Sequence, residues 1–328
     1  MRVVVVGGTG NISRGVVKSL LSHGHEVTIF NRGQTDGPVP KGVRVMRGDR
    51  KDFAAFEAAM QAERFDAAID MICYTREEAE SDVRAFRNVK HFVHTSSAAV
   101  FGGPLLETPT NEESPRNPVI PYGRQKVETD EVIAASDLPW TIFMPAQTWG
   151  YQSRLLRQLG LTSHWIDRIR RGMPILVCHD GQLIWAECHA DDAGVAYGAA
   201  LGRERCIGQS YILTRPGCRT WRDYHDAVAS ALGKRAEYVD VPADLVIAAW
   251  PAGTFLVASE SRWNRLYDTS KIRRDIPEFS PTIELADAAG PLIADLDRRG
   301  LIPDAREDET EDRIIAGLAR LRTELTAT

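Results

Sequence analysis

Along the first 145 residues, short apolar runs alternate with segments whose apolar positions recur every three to four residues. A valine run at 3–6 comes first, and further strand-like runs follow at 26–30, 43–47, 66–72, 91–95 and 140–144. Between them, 10–23, 53–62, 77–87 and 122–135 carry helical spacing and good helix formers. Such alternation predicts repeated βαβ units around a buried parallel sheet. The stretch 101–121 holds five prolines and two glycines and has no periodicity. It is predicted to be a long loop crossing the sheet's carboxyl edge, where loops of this architecture usually touch ligand.

Beyond residue 145 the pattern loosens into helices with short strands predicted at 183–187 and 210–213, ending in an amphipathic helix over 307–325. The fold expected is α/β, a doubly wound parallel sheet (Rossmann) over 1–145 with a smaller, mixed C-terminal substrate lobe over 146–328. Segments of the later half are expected to return to the first domain.

Composition narrows the partners more than the fold. With 40 Lys plus Arg against 45 Asp plus Glu, the formal charge of −5 provides no global basic field for nucleic acid or an anionic membrane. The five cysteines (Cys73, Cys178, Cys188, Cys206, Cys218) are odd in number and show no CxxC pairing, which predicts reduced thiols, no disulfide and no zinc site. His179 and His189 next to Cys178 and Cys188 fit no standard zinc spacing; at most, a His189 hydrogen bond ordering the second lobe is expected. The apolar run at the start is too short for a signal segment or a membrane span, so a cytoplasmic location is expected.

Straight after the first strand comes Gly7-Gly8-Thr9-Gly10-Asn11-Ile12-Ser13, opening a helix. Strand, tight turn and helix stand in the order a dinucleotide site needs. Glycines 7 and 10 permit the turn and let backbone N–H groups approach a diphosphate, whose charge the helix's positive end favours. Ser13 takes the place where a third glycine is usual. At the end of the second strand, Asn31 stands where an NAD enzyme carries an acid for the ribose hydroxyls. An uncharged Asn31 beside Arg32 leans slightly toward NADP, although Arg32 equally fits an ordinary solvated turn. Asp49 after the third strand could accept from the adenine amino group, while a helix N-cap is the plainer reading.

Tyr122-Gly123-Arg124-Gln125-Lys126 opens a predicted helix, placing phenol and ammonium on one face. An adjacent ammonium favours the phenolate and brings a side chain with an ordinary pKa of about 10 into working range near neutrality. The pair follows Thr95-Ser96-Ser97-Ala98-Ala99-Val100-Phe101-Gly102, a strand end that would hold a serine hydroxyl at the sheet's carboxyl edge. Turn capping is the alternative for either serine.

These segments, with His189-Ala190-Asp191-Asp192-Ala193 and Tyr267-Asp268-Thr269-Ser270-Lys271, resemble an extended short-chain dehydrogenase/reductase of the NAD-dependent epimerase/dehydratase group over most of the chain. The resemblance implies Ser97, Tyr122 and Lys126 as the catalytic triad, with Tyr122 as acid/base and the lysine also on the cofactor's ribose. The expected NAD(P) contacts are Gly7, Thr9, Gly10, Asn11, Ile12, Asn31, Arg32, Asp49, Arg50 and Met71. Those to substrate are Cys73, Ala98, Gln147 and Trp149, with space-filling the alternative for Cys73 and core packing for Trp149. A homodimer is implied by resemblance alone. Departures matter too: dehydratases of the group carry an acidic pair where this chain has Ala98 and Ala99, which disfavours dehydration.

Arg154, Arg157, Arg168, Arg170 and Arg171 form a basic stretch that suits either an anionic substrate or the wet side of a helix. The function expected is an NAD(P)-dependent epimerase or ketoreductase on a sugar-like or nucleotide-linked small molecule, leaning narrowly to the epimerase pattern through the resemblance. The competing reading is an RNA-binding or dinucleotide-sensing protein of the same fold, since the glycine turn and Phe30-Asn31-Arg32-Gly33 also resemble plastid stem-loop RNA-binding relatives.

Overall fold

The computed structural model describes residues 1–34, 39–151, 153 and 155–327; Arg154 of the basic stretch lies outside the described residues. The chain divides into two compact units, the first made of Met1–Gln152, Ala186–Pro216 and Tyr267–Thr282. Strands and helices are numbered along the whole chain. The first unit contributes β1 (Arg2–Val6), α1 (Asn11–Ser22), β2 (Glu26–Asn31), β3 (Arg44–Arg47), α2 (Phe53–Glu63), β4 (Ala67–Asp70), α3 (Arg76–Ala85), β5 (His91–Thr95), α4 (Pro121–Ala134), β6 (Trp140–Pro145) and β7 (Gln147–Trp149). From its returning segments come β9 (Glu187–His189), α6 (Ala190–Ala200), β10 (Gln209–Leu213) and α9 (Ser270–Asp275).

Seven strands pair in parallel in the order β10-β6-β5-β4-β1-β2-β3. The valines of β1 are wholly buried on both faces because helices cover the sheet from above and below, which is why that strand reads as an unbroken apolar run. Chain order reverses between β1 and β4, the switch point where open α/β sheets hold ligands. The strand predicted at 210–213 completes the sheet's edge beside β6. The strand predicted at 183–187 does not form as such: Ile184 makes a single bridge to Thr220, and the regular pairing begins at Glu187, against β7.

Behind the sheet, α1 and α6 meet backbone to backbone. A methyl group at Gly15 would sit 1.9 Å from the Ala190 carbonyl oxygen, and one at Gly194 would sit 2.2 Å from the Gly15 carbonyl. His189 caps α6, its Nδ1 accepting from Asp191 N at 3.1 Å. The ordering expected of it therefore falls in the first unit, because 186–216 returns there.

The second unit (Ser153–Trp185, Gly217–Leu266, Ile283–Thr328) is mainly helical: α5 (His164–Arg171), α7 (Trp221–Ala231), α8 (Ala243–Ala249), α10 (Leu285–Arg298) and α11 (Thr310–Thr326), with β8 (Ile175–Val177) paired to β11 (Tyr238–Asp240). The basic stretch is committed within it. Arg157 and Arg168 are buried around Glu311, while Arg170 pairs with Asp297 and Arg171 with Asp167. No helix among the described residues is long and apolar enough to cross a membrane.

Candidate active site

A cavity of about 390 Å³ opens at the carboxyl edge of the first unit's sheet, lined by Gly7, Thr9, Gly10, Asn31, Arg32, Asp49, Lys51 and Tyr74 among others. Its floor is the turn after β1. Gly7 holds φ +105°, a conformation side chains resist, and its N–H donates to Phe30 O at 2.8 Å. Gly10 begins α1 without any side-chain cap. An uncapped helix start, carrying the positive end of the dipole, is the feature that binds a diphosphate, so these residues fit a dinucleotide. Asn11 anchors the helix start by donating from Nδ2 to Thr148 O at 2.9 Å, and Ile12 packs on the core behind it. Ser13 is buried as a small residue must be here; the closest backbone approach is made instead by Gly15, two residues on.

At the end of β2, Asn31 spends its amide on the turns. Its Nδ2 donates to Gly7 O at 3.2 Å, and its Oδ1 accepts from Gly33 N at 3.0 Å and from the Arg47 guanidinium. Arg47 was invisible as a candidate in the sequence, although the parallel register sets it directly opposite Asn31. Arg32, Arg47 and Lys51 are all exposed, so this end of the crevice is cationic. Asp49 accepts from Lys51 N at 3.0 Å; the α2 cap is Asp52, accepting from Ala55 N at 3.2 Å. Arg50 turns inward, 3% exposed, with its guanidinium 2.8 Å from Asp82, 3.1 Å from Glu78 and 3.3 Å from Asp70. Burial and the neighbouring Asp70 push the Asp82 carboxyl well above its usual range. Arg50 thus holds β4 and α3 together from beneath the cavity.

The other end is built by α4. Pro121 starts it, with its fixed φ suited to the first helical position. Tyr122 is 39% exposed, whereas Lys126, one turn on, is 1% exposed and donates from Nζ to Cys73 O at 2.6 Å and Thr95 O at 2.8 Å. The ammonium lies 5.9 Å from the centre of the Tyr122 ring. Burial lowers the Lys126 pKa, while Cys73, Asp70 and Asp130 favour its charge. Gly123, between the two, makes this packing possible: a methyl there would come 2.6 Å from Ala99 O in the tight turn Ala98–Phe101.

The two serines part company. Ser96 is buried and donates to Asp130 Oδ2 at 2.8 Å; Asp130 also accepts from Arg116 at 2.9 Å and lies 3.3 Å from His94 Nε2. That network fastens β5 to α4. Ser97 is half-buried and accepts from Ala99 N at 3.2 Å, so it caps the turn Ala98–Phe101.

Five further expected contacts are placed as follows. Met71 is nearly buried, its sulfur accepting from Thr95 Oγ1 at 3.3 Å. Cys73 is fully buried and burial pushes its thiol pKa well up; what it offers the site is its carbonyl, to Lys126. Ala98 is buried in the turn, and Gln147 is half-buried in β7. Trp149 is core, fully buried, its Nε1 donating to the Glu187 carboxylate. Tyr74, which no local sequence pattern marks as a site residue, stands 6.3 Å from Tyr122, ring to ring. A clue was its place just after a strand at the switch point.

A sequence model of the NAD dependent epimerase/dehydratase family matches residues 3–212. The chain is 30% identical over 332 residues to a 2'-dehydrokanamycin reductase of Streptomyces kanamyceticus, covering 98% of this chain and 92% of that protein. It is 25% identical over 249 residues to chloroplast stem-loop binding protein of 41 kDa b of Arabidopsis thaliana, covering 71% of this chain and 63% of that one. Among solved structures, a UDP-glucose-4-epimerase of Stenotrophomonas maltophila with bound NAD and formylated UDP-arabinopyranose superposes with a TM-score of 0.73 at 18% identity, covering 91% and 99% of the two chains.

Proposed function

The chain belongs to the NAD dependent epimerase/dehydratase family, and from that premise we propose that it is an NAD(P)-dependent reductase of a keto group on a sugar-like ring. The observation that carries this reading is the buried Lys126 ammonium, pinned by two backbone carbonyls beside an accessible Tyr122 phenol. Bound on the Gly7–Gly10 turn, a nicotinamide dinucleotide supplies the hydride. Tyr122 gives the carbonyl oxygen its proton, the Lys126 charge making the phenol acidic enough to do so, and the phenolate is reprotonated from solvent before the next turnover. Ser97 donates a hydrogen bond to the same oxygen, stabilising charge as it develops. In the reverse direction Tyr122 takes the proton from an alcohol.

A relative spanning nearly the whole chain and named a reductase supports reduction over epimerisation. The cationic adenosine end, with Arg32, Arg47 and Lys51 and a neutral Asn31, supports NADPH as the donor, because guanidinium groups pair well with a 2′-phosphate. The test is to denature freshly purified protein, identify any released dinucleotide, and assay NADPH and NADH oxidation against keto-sugars and keto-aminoglycosides. NADPH-dependent turnover with an exchangeable cofactor is expected. Tightly retained NAD with no net oxidation would favour an epimerase instead.

The likeness to the plastid stem-loop binding protein favours a second reading, in which the site recognises structured RNA. Sub-micromolar, salt-sensitive RNA binding that is indifferent to Tyr122→Phe would establish it over the reductase.

A further inference from the structure

We propose that Tyr74 is a positioning residue for the catalytic pair: its ring covers the Lys126 ammonium and thereby holds the charge that acidifies Tyr122. This rests on Tyr122 being the working phenol.

Lys126 Nζ lies 4.6 Å from the centre of the Tyr74 ring, closer than the 5.9 Å to Tyr122 itself. Two of its three N–H bonds go to Cys73 O and Thr95 O. An aromatic face so near an ammonium attracts it through the ring quadrupole and keeps water from it. The backbone that carries the ring is held on both sides. Tyr74 N and Thr75 N both donate to Glu78 Oε2, at 2.6 Å and 3.2 Å, and Cys73 O accepts from Lys126. Glu78 is in turn fixed by Arg50 and by the Thr75 cap of α3.

The ring is 41% exposed, lines the cavity and tilts 50° against Tyr122, so it forms the solvent side of the pair. Burial and the neighbouring Tyr122 push its own phenol up to about 12, which leaves it neutral wherever Tyr122 works. The other groups acting on Lys126 are Asp70 on β4, Cys73 after it, Glu78 on α3 and Asp130 on α4. His94 on β5 feels the same ammonium, and Tyr197 on α6 is coupled to Tyr122. All of these remain in place in Tyr74→Phe, which keeps the ring, so that variant controls for their contributions.

Removing the ring admits water to the ammonium, which screens its field at Tyr122. The phenol should then ionise at higher pH. An ultraviolet difference titration of phenolate absorbance, taken with and without Tyr122→Phe in each background, isolates the Tyr122 step and needs no substrate. Tyr74→Leu should raise that step by about half a pH unit, because a better-screened ammonium attracts the Tyr122 phenolate less. Tyr74→Phe should leave it within the error of the measurement, since the ring is retained; Tyr74→Trp serves as a second ring-bearing variant should Tyr74→Leu fold poorly, and must also leave it unmoved.

Coincident titrations for Tyr74→Leu and wild type overturn the proposal, as does an equal shift in the leucine and phenylalanine variants. The reductase reading fails separately, through unimpaired turnover of Tyr122→Phe.

Discussion

The two ends of the crevice are held by opposite means. At the α4 end, the buried cation is fixed by main-chain atoms, with Lys126 on the carbonyls of Cys73 and Thr95 and Gly123 seated against the Ala99 carbonyl. At the β2 end, exposed side chains hold one another, with Asn31 accepting from Arg47 beside Arg32 and Lys51. Main-chain partners cannot be exchanged by substitution, whereas side-chain partners can. On the proposed function, the chemistry would be set rigidly and the choice of dinucleotide left adjustable by single residues.

The sharpest way to break that contrast is Tyr122→Phe, which removes only the proton. Turnover should fall by about 10²- to 10⁴-fold while dinucleotide affinity, measured by fluorescence titration, stays within a few-fold. Next comes Gly123→Ala, where the added methyl must displace α4 from the Ala99 carbonyl 2.6 Å away. A displacement approaching 1 Å costs about 10²-fold in turnover, and overpacking should cost roughly 1–3 kcal/mol in denaturant unfolding. If Gly123→Ala were silent, the α4 end would not be rigid.

At the adjustable end, Arg47→Glu should move the ratio of kcat/KM for NADPH over NADH toward NADH by about 10- to 10²-fold, the worth of a charge-assisted bond to phosphate. Its kcat with saturating cofactor should hardly change. The smallest effect expected is that of Ser97→Ala, about tenfold in kcat for one lost hydrogen bond. Ser96→Ala should instead lower thermal stability, because Asp130 loses a buried donor.

Much of this was legible in the chain. The βαβ order, the glycine turn and the Tyr122–Lys126 pair are local patterns, and local patterns survive translation into space. Arg47, Tyr74 and Gly15 were missed for one shared reason. Each acquires its role from a partner distant in sequence: Arg47 from strand register, Tyr74 from α4, Gly15 from α6. Arg50 lines the cavity, yet nothing local in the sequence says that its charge is already paired. Three carboxylates on β4 and α3 had already claimed it. The strand predicted at 183–187 was displaced because apolar spacing alone does not say that β7 offers its edge only from Glu187 onward.

The glycine contact between α1 and α6 also bears on how the protein is made. Residues 11–22 leave the ribosome long before residues 190–200, and at usual rates of elongation the interval is roughly ten to forty seconds. By its end six strands of the sheet have been made, yet the helix that braces the nucleotide loop from behind has not. The cradle for a dinucleotide is therefore braced only once α6 has been made, and chains stalled before residue 190 should be caught by proteases rather than rescued by cofactor.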